Sequence, residues 1–155
     1  AYILDLRPRQ MKDENLTQGI QRLVQEFRAN TLIDVLLSCP KEGITNLPEP
    51  QALALFHICQ EALANIAKHA KARTVQVTVW TTAERALLEV QDDGRGFDSE
   101  KIKLSIGHGL SNMETRALNA GGEVDISSEP GKGTTVLAWV PIPEPEFPSV
   151  ERICG

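Results

Sequence analysis

The sequence lacks several features that would assign it at once to a class of protein. Its three cysteines are scattered and odd in number, which argues against both a disulfide framework and a CxxC metal site. No apolar run approaches the roughly 20 residues needed to cross a bilayer, and no signal peptide is visible. The net charge of −5 argues against a nucleic-acid partner, which requires clustered Lys and Arg. We expect reduced thiols, a cytoplasmic setting and no direct membrane insertion.

Two common phosphate-binding patterns are missing as well. The glycine spacing fits neither the G-x-x-x-x-G-K-[ST] loop nor a G-x-G-x-x-G turn after a first strand. The 155 residues, 41% of them hydrophobic, suffice for one domain with a buried core. We expect that domain at residues 9–142, after the end of an upstream helix at 1–8 and before a flexible, proline-rich tail at 143–155.

Hydrophobic periodicity predicts three helices and five strands. The helices are expected at residues 14–29, 50–70 and 109–120, and the strands at 31–38, 74–81, 86–91, 122–127 and 134–140. Strands come in hairpins with helices between them, without regular βαβ alternation. The predicted fold is therefore α+β, a two-layer sandwich of about three helices on a mixed, largely antiparallel sheet.

The second predicted helix separates an apolar face from a polar one at 100° per residue. The polar face carries His57, Glu61, Asn65, Lys68 and His69. The amide of Asn65 offers an oxygen ligand for a hard cation such as Mg²⁺, and the two residues that end the face can meet phosphate oxygens. The alternative interpretation is a solvated helix face without a ligand.

An acidic, glycine-rich turn follows the third predicted strand. The carboxylate of Asp92, at the strand end, can accept a hydrogen bond from an exocyclic amine such as that of adenine. Gly94 and Gly96 carry no side chains, so a flat base or the backbone can approach closely. The alternative is an ordinary polar turn rich in Asp and Gly.

A second glycine pair precedes the last predicted helix, in the segment Gly107-His108-Gly109-Leu110. Backbone N–H groups at the start of a helix, with glycines before it, suit phosphate. A flexible loop with a helix cap is the alternative. Each of the three motifs is weak alone, but their order and spacing favour one nucleotide pocket.

Together these segments resemble the GHKL (Bergerat-fold) ATPases, and most closely the ATP-binding domain of bacterial sensor histidine kinases. His57–Ala70 is similar to the family's N box, Asp92–Phe97 to its first glycine box, and Gly107–Leu110 to its second. Gly131–Pro141 is similar to the closing strand, where Thr134 would help to hold adenine through water.

The resemblance implies ATP and Mg²⁺ as cofactors, with Asp92 at the adenine and Asn65 holding Mg²⁺. Glu61 would be the catalytic acid/base candidate and a second candidate ligand for Mg²⁺. The remaining residues of the ATP site would be those that line the base or approach the phosphates: Lys68, His69, Gly94, Gly96, Gly107, His108, Gly109, Leu110 and Thr134.

The implied reaction is transfer of the ATP γ-phosphoryl group to a histidine on an upstream dimerisation domain, for relay to a response regulator. Three short sequences are similar to those of the sensor-kinase class whose partners are LuxR-type response regulators: Leu6–Pro8, Gln60–Asn65 and Lys68–Ala70. The parent would be a homodimer, with this chain as its cytoplasmic part if the parent is membrane-bound.

All three histidines belong to nucleotide motifs, so no phosphoacceptor is expected in this chain. We expect ATP binding without autophosphorylation by this domain alone. The alternatives are another GHKL ATPase module of the chaperone, topoisomerase or mismatch-repair kind, an anti-sigma serine kinase, or a non-catalytic nucleotide-sensing interaction domain.

Overall fold

The computed structural model describes residues 14–44, 46–95 and 107–143. Three α-helices lie in these ranges: α1 (Leu16–Thr31), α2 (Glu49–Asn65) and α3 (Gly107–Asn119). The strands there are β1 (Asp34–Ser38), β2 (Thr74–Thr81), β3 (Arg85–Asp92), β4 (Glu123–Glu129) and β5 (Gly133–Pro141). They form one sheet in the order β1-β2-β3-β5-β4, with β1 parallel to β2 and the other pairs antiparallel. The predicted fold class is confirmed.

The core lies between the helices and one face of the sheet. Alternation with period two sends every second side chain of a strand to the same face. In register across β2, β3 and β5, this face carries Val77, Val90 and Val136, and beside them Val79, Leu88 and Ala138. All six are buried. Helix α2 packs across β3 and β5, with α1 and α3 on either side of it.

Helix α1 begins at a reciprocal cap. The Asn15 side chain accepts a hydrogen bond from the Gln18 N–H at 2.9 Å, and the Gln18 side chain accepts one from the Asn15 N–H at 3.0 Å. The helix extends to Thr31, whose hydroxyl donates to the Phe27 carbonyl at 2.7 Å. Strand β1 therefore begins at Asp34, three residues later than the predicted start at Thr31.

Helix α2 buries the predicted apolar face, including Phe56, Cys59 and Leu63. Its α-helical hydrogen bonding ends at Asn65, and a π-helical turn follows over Ile66–Ala70. A π-turn closes i→i+5 bonds and is wider than an α-turn. The spacing of 100° per residue that predicted one polar face therefore applies only as far as Asn65. Lys68 and His69 lie on the π-turn, where the angle between successive residues is different.

Several sequence predictions fall outside the described residues: the helix end at 1–8, Gly96, and all but the first residue of the 143–155 tail. Of the helices in the described ranges, none combines the length and hydropathy that crossing a bilayer requires.

Gly133, at the start of β5, is a point where two segments of backbone come close together. It has φ of +82°, and a Cβ there would lie 2.0 Å from the carbonyl oxygen of Asp92. Gly131, two residues earlier, has φ of +80° but no atom within 4 Å of an added Cβ. The two glycines share a left-handed backbone and differ in the space available.

This contrast predicts unequal costs for two alanine substitutions. Gly131→Ala should lower the free energy of unfolding by about 1 kcal/mol, the cost of left-handed backbone. Gly133→Ala should lower it by about 3 kcal/mol or more, because the methyl group must also displace the Asp92 backbone. Urea denaturation of both variants measures the difference, and equal losses would show that β5 does not approach β3 so closely.

Candidate functional site

The strand register brings several predicted residues to one end of the sheet, which we call the site end. Asp34 faces Thr74 across β1 and β2, and Asp92 faces Thr134 across β3 and β5. Helix α2 reaches this end because only Lys71–Arg73 separate its π-turn from β2, and each residue spans at most about 3.6 Å. The adenine-binding candidates and the end of the polar helix thus converge.

Asp92 is a buried carboxylate at the last position of β3. Its side chain is 4% exposed, and its Oδ1 accepts a hydrogen bond from the Gly94 N–H at 2.7 Å. Burial raises the pKa of Asp92, and the nearby charge of Asp93 adds to this, while the Gly94 and Thr134 backbone N–H groups act in the opposite direction. Burying a carboxylate is costly, and such groups concentrate at functional sites.

Asp93, next along the chain, has an exposed and different environment. Its Oδ1 accepts from the backbone N–H groups of Arg73 at 2.8 Å and Thr74 at 3.0 Å, and its Oδ2 accepts from the Thr74 hydroxyl at 2.7 Å. Hydrogen bonds from the Thr74 backbone and hydroxyl lower the pKa of Asp93. Asp93 was not among the residues predicted for the site. The paired Asp at a strand end was the only signal for it, and these partners lie about 20 residues away.

The acidic turn is also tied to the β4–β5 turn. The Gly131 N–H donates to the Arg95 carbonyl, and the bare α-carbon of Gly133 lets β5 approach Asp92. Gly94 is buried between these contacts. Of the glycines predicted at this turn, Gly94 therefore takes part in close backbone packing around Asp92, in addition to any approach by a ligand.

Thr134 is half-buried and has a partner that the sequence did not indicate. Its hydroxyl lies 2.8 Å from the Ser128 hydroxyl, which also donates to the Gly133 carbonyl at 3.2 Å. Ser128 and Thr134 face each other across β4 and β5. A hydroxyl pair thus sits beside the buried carboxylate, where it can hold a water molecule or a polar edge of a ligand.

The polar side of α2 approaches the same end. Glu61 and Asn65 are half-buried and one helical turn apart, and Lys68 on the π-turn is exposed. His69 belongs to that turn by its backbone, and its side chain is outside the described set. The helix therefore offers a carboxylate and an amide oxygen on one face, followed by an exposed ammonium group.

His57, one helical turn before Glu61, has its own partners within α2. It is half-buried, its ring lies edge-on to Phe56, and its Nδ1 is 3.5 Å from the Gln60 side-chain oxygen. Burial lowers the pKa of His57, and the positive charge of Arg116 on α3 lowers it further. The contacts of the His57 ring are thus with residues of its own helix, Phe56 and Gln60.

The second glycine pair lies inside α3. The helix already includes Gly107 and His108, two residues earlier than predicted. Gly107, His108, Gly109 and Leu110 are described by their backbone alone. The first N–H groups of a helix have no intrahelical acceptor, so this backbone retains the donor character expected of a phosphate-binding segment.

Comparison with known families agrees with this arrangement. Residues 51–144 match the family described as histidine kinase-, DNA gyrase B- and HSP90-like ATPase. The chain belongs to this family. The matched segment runs from the start of α2 to just beyond β5, so it includes α2, α3 and the strands β2 to β5, with Asn65, Asp92 and Thr134 among its residues.

Sensor kinases are among its curated relatives. The domain is 36% identical over 142 residues to the sensor histidine kinase LiaS of Bacillus subtilis, covering 92% of this chain and 38% of LiaS. It is 33% identical over 144 residues to the sensor protein VraS of Staphylococcus haemolyticus, covering 92% of this chain and 40% of VraS. The chain thus spans about two fifths of the length of the relatives it matches.

A solved structure shares the fold. The histidine kinase domain of the blue-light activated histidine kinase from Erythrobacter litoralis superposes with a TM-score of 0.71 at 20% identity, covering 83% of this chain and 62% of that one. The resemblance found in the motifs is thereby confirmed for the family and the fold. The roles of individual residues and the LuxR-type partner class stay predictions.

The environment of Asp92 predicts an unusual response to substitution. Because the folded pKa is raised, ionisation of Asp92 costs stability as pH rises through the interval between its ordinary value of 3.8 and its folded value. Asp92→Asn removes that charge and keeps an oxygen for the Gly94 N–H. The variant should melt at a higher temperature at pH 7, and the gain should disappear in acid. A lower melting temperature at pH 7 would contradict this account of the carboxylate.

Proposed function

We propose that this ATPase-family domain is the ATP-binding, catalytic domain of a sensor histidine kinase. The observation that carries the proposal is the buried Asp92 carboxylate, facing Thr134 at the site end of a family-matching sheet. The relatives named sensor histidine kinases support the kinase assignment within that family.

Adenine recognition follows from the chemistry of this end. The carboxylate of Asp92 accepts a hydrogen bond from the exocyclic amine of adenine, which guanine cannot offer at the same position. The Gly94 N–H and the backbone of Thr134 hold the carboxylate in place. The Ser128–Thr134 hydroxyl pair supplies the water-mediated contact to the base.

The triphosphate extends toward the end of α2. Asn65 would hold Mg²⁺, with Glu61 one turn before it as a second candidate ligand, and Lys68 and His69 would neutralise phosphate oxygens. Within the described ranges no three His, Cys, Asp or Glu side chains form a metal-binding group. Mg²⁺ is commonly held by one or two protein oxygens together with substrate phosphates and water, so Asn65 and Glu61 fit that ion. When bound, it neutralises charge on the phosphates.

The reaction depends on positioning and charge neutralisation. The γ-phosphoryl group passes to an imidazole nitrogen of a histidine on the upstream dimerisation domain, and ADP leaves. The first-turn N–H groups of Gly107–Leu110 approach the phosphates. Glu61 is the candidate to receive the proton of the attacking imidazole. The half-buried position of His57 and its contacts with Phe56 and Gln60 support its exclusion as the acceptor.

The partners follow from this role. We propose that the parent kinase is a homodimer that relays the phosphoryl group to a LuxR-type response regulator, with this domain in the cytoplasm. The sequence of the N-box segment, His57–Ala70, supports this assignment, as do the relatives named sensor proteins.

Calorimetric titration with ADP and ATP, with and without Mg²⁺, tests the proposed function. Both nucleotides should bind, and Mg²⁺ should tighten binding. Asn65→Ala should reduce the Mg²⁺-dependent gain on the order of tenfold, the scale of one lost interaction with a charged group, and should change metal-free binding little. Asn119→Ala, at an exposed asparagine near the end of α3, is the matched control.

Two results would count against the proposal. Absence of binding at millimolar nucleotide would exclude an ATP-binding function. If Asn65→Ala weakened metal-free and Mg²⁺-dependent binding equally, Asn65 would have a structural role, and the assignment of the Mg²⁺ ligand would be wrong.

A further inference from the structure

Asp93 connects two parts of the molecule that are separate in sequence. Its carboxylate receives the N–H groups of Arg73 and Thr74 and the Thr74 hydroxyl, all within 3.0 Å. Its own N–H donates to the Thr74 carbonyl at 3.3 Å. Asp93 therefore makes four hydrogen bonds between the acidic turn and the start of β2, three through its exposed side chain and one through its backbone N–H.

These bonds lie beyond the end of the strand pairing. The last register pair between β2 and β3 is Val75 with Asp92, and Asp93 continues the connection past it with its side chain. Arg73 belongs to the short link that leaves the π-turn after Asn65. We call Glu61, Asn65 and Lys68 the magnesium half of the candidate site, and Asp92 and Thr134 the adenine half. The Asp93 carboxylate thus binds the chain just after the magnesium half, and the Asp93 backbone adjoins Asp92 in the adenine half.

We propose that Asp93 is a positioning residue of the ATP site, which fixes the end of α2 relative to Asp92. This inference rests on the proposed function and adds to it a residue outside the predicted site. Charge-assisted hydrogen bonds to a carboxylate are short and directional, so they restrict the link more than the weak contacts of an exposed turn would. Correct spacing lets one nucleotide reach both halves together.

The proposal predicts a specific pattern of affinities in calorimetric titrations with ADP. Asp93→Ala should reduce the Mg²⁺-dependent gain about fivefold to tenfold and change metal-free binding less than about twofold, because metal-free ADP depends mainly on the adenine half. Asp93→Asn should retain the gain, because its amide oxygen can accept both N–H groups and its amide N–H can donate to the Thr74 hydroxyl. Thr74→Val removes the hydroxyl donor alone, and it should lose part of the Mg²⁺-dependent gain in ADP affinity, less than Asp93→Ala loses.

A double-mutant cycle with Asn65→Ala distinguishes positioning from general stabilisation. If Asp93 positions the helix end, Asn65→Ala should cost less in the Asp93→Ala background than in the wild type. Asp125→Ala, at an exposed aspartate on β4, is the matched control and should leave both terms unchanged. Circular dichroism melting establishes that each variant is folded at the titration temperature. If Asp93→Ala does not fold, Thr74→Val and the same cycle provide the test.

The possible failures are separable. A wild-type domain that binds ADP with a normal Mg²⁺ gain, combined with an unchanged gain in Asp93→Ala or additive effects with Asn65→Ala, would overturn the role of Asp93 alone. A wild-type domain that binds no ADP would overturn the proposed function and this inference with it.

Discussion

Burial of the Asp92 carboxylate is the constraint on which the rest of this site depends. A carboxylate at the end of a central strand is stable there only if nearby donors replace water. The Gly94 N–H provides one such donor, and β5 approaches closely because Gly133 carries no side chain. The strand order β3-β5-β4 then brings the Ser128–Thr134 hydroxyl pair to the same place. The turn, the glycine and the hydroxyls form one arrangement around a single acceptor.

The candidate binding groups lie in two layers of the fold, the sheet and the helices. The sheet end carries the groups suited to the base, and the end of α2 carries oxygen and ammonium groups suited to Mg²⁺ and phosphates. In the proposed function one nucleotide contacts both layers, so their relative position would affect nucleotide affinity directly. The link from the π-turn to β2 is short, and its hydrogen bonds to Asp93 restrict it further. This explains how a domain with an open sheet can hold two half-sites in register.

Much of this arrangement could be predicted from the sequence, and for a clear reason. The alternating valines of β2 and the 3.6-residue spacing of Phe56, Cys59 and Leu63 encode burial, and burial fixes the layers. Asp92 at a strand end was predictable because the apolar pattern stops there. The Ser128–Thr134 pair depends on the register of the β4–β5 hairpin, and the Asp93 contacts join residues about 20 positions apart, so neither follows from the local sequence pattern. The π-turn after Asn65 was missed because ideal α-helical spacing cannot reveal a change of helical phase.

The central claim is that the site end of the sheet binds adenine through Asp92. Amide NMR of the ¹⁵N-labelled domain, titrated with ADP and in parallel with GDP, tests it most directly. ADP should shift the Gly94 and Thr134 amides most among the described residues, because both donate toward Asp92, and GDP should have little effect. If ADP left these two amides unmoved while shifting amides on the outer face of α1, the base would bind elsewhere and the account would be wrong.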